Sequence, residues 1–288
     1  MSNVVSDKYY HGFLARKDIE PLLIHDGDFL VRTVYWKDEL ILSLAVCTDK
    51  GIKNFIINQD QKGEFYIEKV KKSSIDELIQ WHLSTKTPIS ISSQAIIKTA
   101  IPRPNWLVKK DQVKMIKKLG KGAFGEVYFA EYTDANSNVH QSAVKTMHAE
   151  ASRTARLSFL KEARIMRKFD HPNIVHIYGI AADESPLLIL MELCSGGSAL
   201  SYLRKNRGMI LPDMKLRFTY ESARGLEYLE SKKCIHRDIA ARNCLLTANN
   251  HVKISDFGMS DEKTIIQNSS LDKVNPLFSV FFLDSQIV

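Results

Sequence analysis

The chain has 288 residues, 44% of them hydrophobic and 25% charged, with a formal net charge of +7. That balance excludes a disordered or fibrous chain and leaves room for about two domains at roughly 100–200 residues each. No apolar run reaches the roughly 20 residues of a membrane-spanning helix, and the positive excess lies beyond residue 100, scattered rather than striped, which argues against nucleic-acid binding.

Met1–Tyr10 lacks the apolar core of a signal peptide, and Ser2 stands where N-myristoylation needs a glycine. Arg16 to Ile24 reads as a short helix with Ile19, Leu22 and Leu23 on one side. Asp28–Arg32, Leu40–Val46, Lys53–Ile57 and Glu64–Ile67 read as strands rich in Val, Ile and Phe. Ser74–Leu83 reads as a helix, with Ser74 as N-cap and Glu77 at capping-box spacing. Together these make a small α+β domain. Ile101-Pro102-Arg103-Pro104-Asn105-Trp106 reads as an extended linker, because two prolines in three residues disfavour helix and ladder alike; Trp106 is its packing anchor.

Beyond the linker, Lys114–Leu119, Glu126–Glu131 and Gln141–Thr146 read as strands, Ala155–Phe169 as a helix, and Ile174–Ile180 and Leu187–Glu192 as strands. Helical patterns dominate after Gly197, including Met214–Ser231. A strand-rich lobe followed by a helical lobe implies two lobes with a hinge near Glu192–Gly197. The four cysteines, Cys47, Cys194, Cys234 and Cys244, form no CxxC pair and read as free thiols of a reducing compartment.

Two constellations carry chemistry. The first is Gly27-Asp28-Phe29-Leu30-Val31-Arg32, which ends an apolar strand on an arginine sharing a face with Leu30. A buried guanidinium needs an anionic partner, and from this segment an internal carboxylate and a ligand phosphate serve equally well. With Tyr9-Tyr10-His11-Gly12-Phe13-Leu14-Ala15-Arg16 ahead of it, the segment closely resembles an SH2 domain. The resemblance implies that Arg32 clamps a phosphotyrosine and that Arg16 faces its ring and phosphate. Asn54 stands where the family usually has a histidine, and Val34 where it often has a serine, so Thr33 is the expected hydroxyl donor.

The second constellation begins with Gly120-Lys121-Gly122-Ala123-Phe124-Gly125-Glu126-Val127, a G-x-G-x-x-G-x-V pattern between two predicted strands. Alone it is weak, since a plain hairpin looks similar; its use is to bring backbone N–H groups close to phosphates. Lys145, in Ala143-Val144-Lys145, is either an exposed strand end or the partner of Glu162 on the following helix. The specific signal is His236-Arg237-Asp238-Ile239-Ala240-Ala241-Arg242-Asn243, followed by Asp256-Phe257-Gly258. Asp238 fits a base for a substrate hydroxyl, and Asn243 and Asp256 offer the oxygen ligands that Mg²⁺ prefers.

The motifs in this order resemble a protein kinase, and Ala240-Ala241-Arg242 is the tyrosine-kinase form of the loop. With Ser84-Thr85-Lys86-Thr87-Pro88, His171-Pro172-Asn173-Ile174-Val175, Met191-Glu192-Leu193 and Glu227-Tyr228-Leu229-Glu230-Ser231-Lys232, the whole resembles the Fes/Fer group of non-receptor tyrosine kinases over about Lys8 to Ser260. The implied fold is α+β: an SH2 domain (an antiparallel sheet flanked by two helices) at 8–98, a linker at 99–111, and a two-lobed kinase at 112–260 with an incomplete C-lobe. Its N-lobe spans 112–192 and its partial C-lobe 193–260.

The resemblance implies ATP contacts from Leu119, Gly120, Lys121, Gly122, Ala123, Phe124, Gly125, Val127, Ala143 and Lys145, a gatekeeper at Met191, and a hinge at Glu192 to Cys194. It implies catalytic roles for Asp238, Arg242, Lys145 and Glu162, and Mg²⁺ held by Asn243 and Asp256. The implied partners are phosphotyrosine proteins and protein-tyrosine substrates, in the cytoplasm, with peripheral recruitment to membrane complexes. After Met259-Ser260 the tail 261–288 carries neither a tyrosine nor an A-P-E segment and ends in an apolar stretch, Leu277 to Leu283. Two activities are therefore expected: ATP-dependent phosphorylation of protein tyrosine or, with the C-lobe short and apolar surface uncovered, an inert phosphotyrosine-binding adaptor or dominant-negative fragment.

Overall fold

The computed structural model describes residues 5–37, 39–121, 125–148 and 150–261. They form two compact units, one running from the N-terminus to 113 and including 146–157 and 180–188, the other made of 114–145, 158–179 and the chain from 189 on. The Pro-containing linker is therefore interior to the first unit rather than its edge. Arg103 explains this: its guanidinium donates to the carbonyls of Tyr10, Leu107 and Val108 and pairs with Asp183 at 2.6 Å, with both side chains largely buried. Trp106 is half-buried, and its carbonyl accepts the Ile180 N–H at 2.8 Å.

In the first unit the elements run β1 (Tyr10–Phe13), α1 (Arg16–Ile19), β2 (Asp28–Trp36), β3 (Glu39–Thr48), β4 (Gly51–Ile56), β5 (Asn58–Gln59), β6 (Phe65–Tyr66), β7 (Lys71–Lys72), α2 (Ile75–Thr85), β8 (Thr99–Ala100) and β9 (Leu107–Val108). The centre is an antiparallel meander, β2-β3-β4. The expected sheet is antiparallel throughout, but β1 and β8 both run parallel to β2, β1 against Val31 and Thr33 and β8 against Asp28 and Phe29. Both reach β2 after long excursions of chain, which is the connection that parallel pairing requires. One face of the meander, with Phe29, Val31, Leu44 and Val46, buries against Ile75 and Ile79 of α2. The opposite face carries Leu30 and Arg32, because alternate residues point to opposite sides.

Helix α1 is a single turn, shorter than the predicted Arg16–Ile24. Its Ala15 cap has no side-chain acceptor, and Asp28 instead accepts the N–H groups of Ile24 and His25, fixing that stretch as a turn. Ser74 caps α2 by accepting the Glu77 N–H, but the reciprocal half of the box is absent: the Glu77 carboxylate takes the Ser73 hydroxyl.

From Val113 on, β10 (Val113–Lys121), β11 (Glu126–Thr133) and β12 (Val139–Thr146) form a meander extended by β14 (Leu188–Glu192) and β13 (Ile177–Ala181). Helix α3 (Arg153–Met166) precedes β13. The helical part contains β15 (Gly197–Ser198), α4 (Ala199–Lys205), α5 (Pro212–Ser231), β16 (Cys244–Leu246) and β17 (Val252–Ile254). Pro212 sits at the start of α5, where a missing N–H costs nothing. Phe218, Glu221, Ser222, Gly225 and Leu229 form its buried stripe at helical spacing. Leu211, Leu216 and Tyr220, by contrast, are exposed.

The predicted strand at 174–180 begins later, because residues 173–175 pair elsewhere. Asn173 Nδ2 donates to Val252 O, and Ile254 N–H donates to Asn173 O, so this stretch is zipped to β17. None of the four cysteines is in a disulfide; Cys47, Cys234 and Cys244 are buried and Cys194 is half-buried. The apolar stretch Leu277–Leu283 lies outside the described residues.

Candidate active site

Val127 on β11 stands opposite Lys145 on β12, and Phe129 opposite Ala143. Period two therefore puts Val127, Ala143 and Lys145 on one face of the sheet. The glycine pattern joins β10 to β11, whose ends are tied by the Lys118–Glu126 ion pair; Tyr128, further along β11, also donates to Glu126. Leu119 and Lys121 are exposed, Gly120 is open around its α-carbon, and Gly125 is buried. Gly122, Ala123 and Phe124 lie outside the described residues.

Lys145 Nζ meets both carboxylate oxygens of Glu162 on α3, at 2.7 and 2.8 Å. Both side chains are almost fully buried, so the exposed-strand-end alternative for Lys145 does not hold. Burial pushes the Glu162 carboxyl up, and the Lys145 ammonium opposes that. On its other side Lys145 Nζ lies 3.9 Å from Asp256 Oδ1. Asp256 has φ +62° and keeps half its side chain in solvent, with Phe257 buried beneath it against His236 and Phe169.

Asp238 is held from three sides. Arg242 donates to Oδ1, Asn243 Nδ2 donates to Oδ2 at 2.8 Å and to the main-chain oxygen at 2.7 Å, and the Asp238 N–H donates to His236 Nδ1 at 3.3 Å. Since His236 Nδ1 accepts, Nε2 carries the proton and donates to Ser255 O at 2.9 Å. Burial lowers the His236 basicity, in keeping with a neutral ring. Ser255 in turn donates through N and Oγ to Asn243 O, both at 2.8 Å, which links the base loop to the strand that carries Asp256.

Met191 and Glu192 end β14, and Cys194 follows, all half-buried. The Glu192 carboxylate is anchored by the His176 N–H at 2.6 Å and by Lys253 at 2.7 Å. Burial, with the Glu192 charge adding to it, pushes the Cys194 thiol up to about 12. Lys253, three residues before Asp256, gives no signal in sequence reading because a strand lysine looks exposed.

In the first unit, Arg32 Nη1 donates to Leu14 O at 2.6 Å and Nη2 to Asn54 Oδ1 at 2.9 Å, while buried Nε has no hydrogen-bond partner among the described residues. The Asp18 carboxylate is near enough to act on it electrostatically. Burial, with the nearby Arg16 charge adding to it, pulls its value down to about 10. Arg16 is exposed and pairs with Glu20. Thr33 departs from expectation: it lies on the opposite face from Arg32, buried, with its hydroxyl 2.9 Å from Tyr10 OH. The alternation of β2 dictates this, since adjacent residues cannot share a face.

The pattern of the protein tyrosine and serine/threonine kinases matches residues 113–278, and that of the SH2 domain matches residues 9–82. The chain is 49% identical over 276 residues to Fer-related kinase 1 of Caenorhabditis elegans, which covers 94% of this chain and 70% of the relative. The chain belongs to the Fer-type, SH2-containing protein tyrosine kinases. It is also 40% identical over 257 residues to human tyrosine-protein kinase Fer, covering 88% of this chain and 30% of that protein. To the transforming protein Fps of avian sarcoma virus (strain PRCII) it is 38% identical over 255 residues, 88% of this chain and 47% of the viral protein. The chain thus spans well under half of human Fer. A protein kinase uses ATP and a divalent metal. Among the described residues no helix is long and apolar enough to cross a membrane.

Proposed function

We propose that the chain is a non-receptor protein-tyrosine kinase that transfers the γ-phosphoryl group of ATP to protein tyrosine and is targeted by phosphotyrosine binding through its SH2 domain. The observation that carries this is the buried Lys145–Glu162 pair at 2.7 and 2.8 Å, with Asp256 3.9 Å beyond it. A lysine fixed in this way is a rigid point charge for the α- and β-phosphates. Asp238, oriented by Arg242 and Asn243, accepts the proton of the substrate hydroxyl as its oxygen bonds to phosphorus and the bond to the leaving diphosphate breaks. The inert-adaptor reading is not favoured, because the relatives are themselves kinases by name.

The metal reading is Mg²⁺ held by Asn243 and Asp256. Asn243 spends Nδ2 on Asp238, which leaves its amide oxygen for a cation, and the Asp256 carboxylate is half in solvent. Among the described residues no three His, Cys, Asp or Glu side chains converge; Mg²⁺ needs only one or two protein oxygens when phosphates supply the rest. The metal would neutralise charge on the phosphates.

In the SH2 domain Arg32 is the phosphate clamp: it is buried, and its guanidinium edge rests on the neutral oxygens of Leu14 and Asn54. Asn54 holds it in place, and Arg16 is near enough to share the anion. The domains are taken as SH2 at 8–98, linker at 99–111 and kinase at 112–260. A cytoplasmic location, with recruitment to membrane complexes through phosphotyrosine, follows from this activity.

Purified 288-residue chain, ATP·Mg²⁺ and a tyrosine peptide test the proposal, with Asp238→Asn as control. Phosphotransfer that disappears in the control supports it; equal phosphotransfer in both overturns it.

A further inference from the structure

Two stretches far apart in sequence are zipped together just ahead of the proposed base. The Ile235 N–H donates to Asp261 O at 2.9 Å, and the Asp261 N–H donates back to Ile235 O at 3.0 Å. The Ser260 hydroxyl donates to His236 O at 3.2 Å. Arg237 Nη2 reaches Asp261 Oδ2 at 3.1 Å, and Lys161 Nζ of α3 stands 4.0 Å from Oδ1. One aspartate therefore meets the loop through backbone and side chain together, and meets the helix that carries Glu162.

Arg237 needs such support. Its φ is +68°, a conformation that long L side chains rarely adopt and that persists only where the surroundings over-determine it. The next residue is Asp238, so the strained peptide sets the direction in which the base leaves the backbone. In kinases the segment after the Asp-Phe-Gly turn is commonly ordered when an added phosphate pairs with arginine. Here the pairing charge is a carboxylate encoded in the sequence. A carboxylate can accept from a guanidinium as a phosphate does, with less charge and without a switch.

We propose that Asp261 is a positioning residue for Asp238: its carboxylate holds Arg237, and through it the loop entering the base, in the place of a phosphate. The inference rests on the kinase reading above. It makes the order of the base loop independent of tyrosine phosphorylation.

The test uses the 288-residue chain and its Asp261→Asn and Asp261→Glu variants, each assayed before and after tyrosine phosphatase treatment. Steady-state kinetics are read together with amide hydrogen exchange at Ile235. In the unaltered chain, phosphatase treatment is expected to leave kcat unchanged. Asp261→Asn should lower kcat about tenfold, since small displacements of a reacting group are expensive, with the KM for ATP within about twofold. Asp261→Glu should recover most of the rate, and Ile235 should exchange faster in the Asn variant alone. A kcat and an Ile235 protection both unchanged in Asp261→Asn would overturn the proposal, as would loss of activity on phosphatase treatment of the unaltered chain. Should no form of the chain transfer phosphate, the kinase reading fails separately, and Ile235 exchange still decides whether the Asp261 side chain holds the loop.

Discussion

Replacing Lys145 with methionine leaves Glu162 almost fully buried and removes the cation that meets both its oxygens. In the native site burial pushes this carboxyl up and the ammonium opposes it; in Lys145→Met the burial is unopposed. The folded variant then holds Glu162 protonated, while the unfolded chain ionises it normally. Keeping a carboxyl of ordinary value 4.5 protonated costs roughly 1 kcal/mol for each pH unit above that value, so about a few kcal/mol at pH 7 and less than about 1 kcal/mol at pH 5. A folded-state value above the unfolded one means the folded chain binds the extra proton. Stability is thus greatest below about pH 4.5 and is lost as pH rises through the raised folded value. Urea unfolding of Lys145→Met and of Lys145→Met/Glu162→Gln at pH 5, 6 and 7 measures this directly. The single variant should lose stability relative to the double variant at close to the full slope. Parallel profiles for the two would refute the reasoning, because the buried carboxyl would then be relieved in some other way.

Arg32→Lys should weaken binding of a phosphotyrosine peptide by about two orders of magnitude, because a point-charge ammonium cannot replace two charge-assisted bonds worth about 1.5–3 kcal/mol each; titration calorimetry giving an unchanged Kd would remove Arg32 from the clamp. Gly225→Ala, which in an open helix stabilises by about 1 kcal/mol, should here destabilise by about 1–3 kcal/mol. The added Cβ would lie 2.8 Å from Ile254 Cδ1 and 2.9 Å from Asn173 O, and a raised thermal midpoint would contradict the close packing of α5 on β17. Gly12→Ala should likewise lower the midpoint, since its φ is +62° and the new methyl would stand 2.3 Å from Ala182 O, which accepts the Phe13 N–H. An unchanged midpoint would mean that this contact is not kept in solution.

Much of the site was legible in the order and type of its residues. Arg32 ends an apolar strand, Lys145 follows Ala143-Val144, and the spacing of His236-Arg237-Asp238, Asn243 and Asp256 carries its chemistry with it. Local rules also placed α2, because an N-capping serine acts over three or four residues, and the helical period placed α5 from Met214 on. What failed involved partners distant in sequence. Thr33 turned away from the clamp because its alternation is counted from Arg32 and its hydroxyl found Tyr10. The stretch 173–175 left its predicted strand because β17, nearly eighty residues on, supplied better-placed backbone partners.

The sequence by itself determined which groups are available: a guanidinium, a lysine, two aspartates and an asparagine on elements of known period. Tertiary structure alone decided their pairing, as with Glu162 on Lys145, Lys253 on Glu192, Arg103 on Asp183 and Asp261 on Arg237. The physical reason is that a charge in a sequence looks solvated until burial removes its water, and only the folded chain shows which opposite charge replaces it.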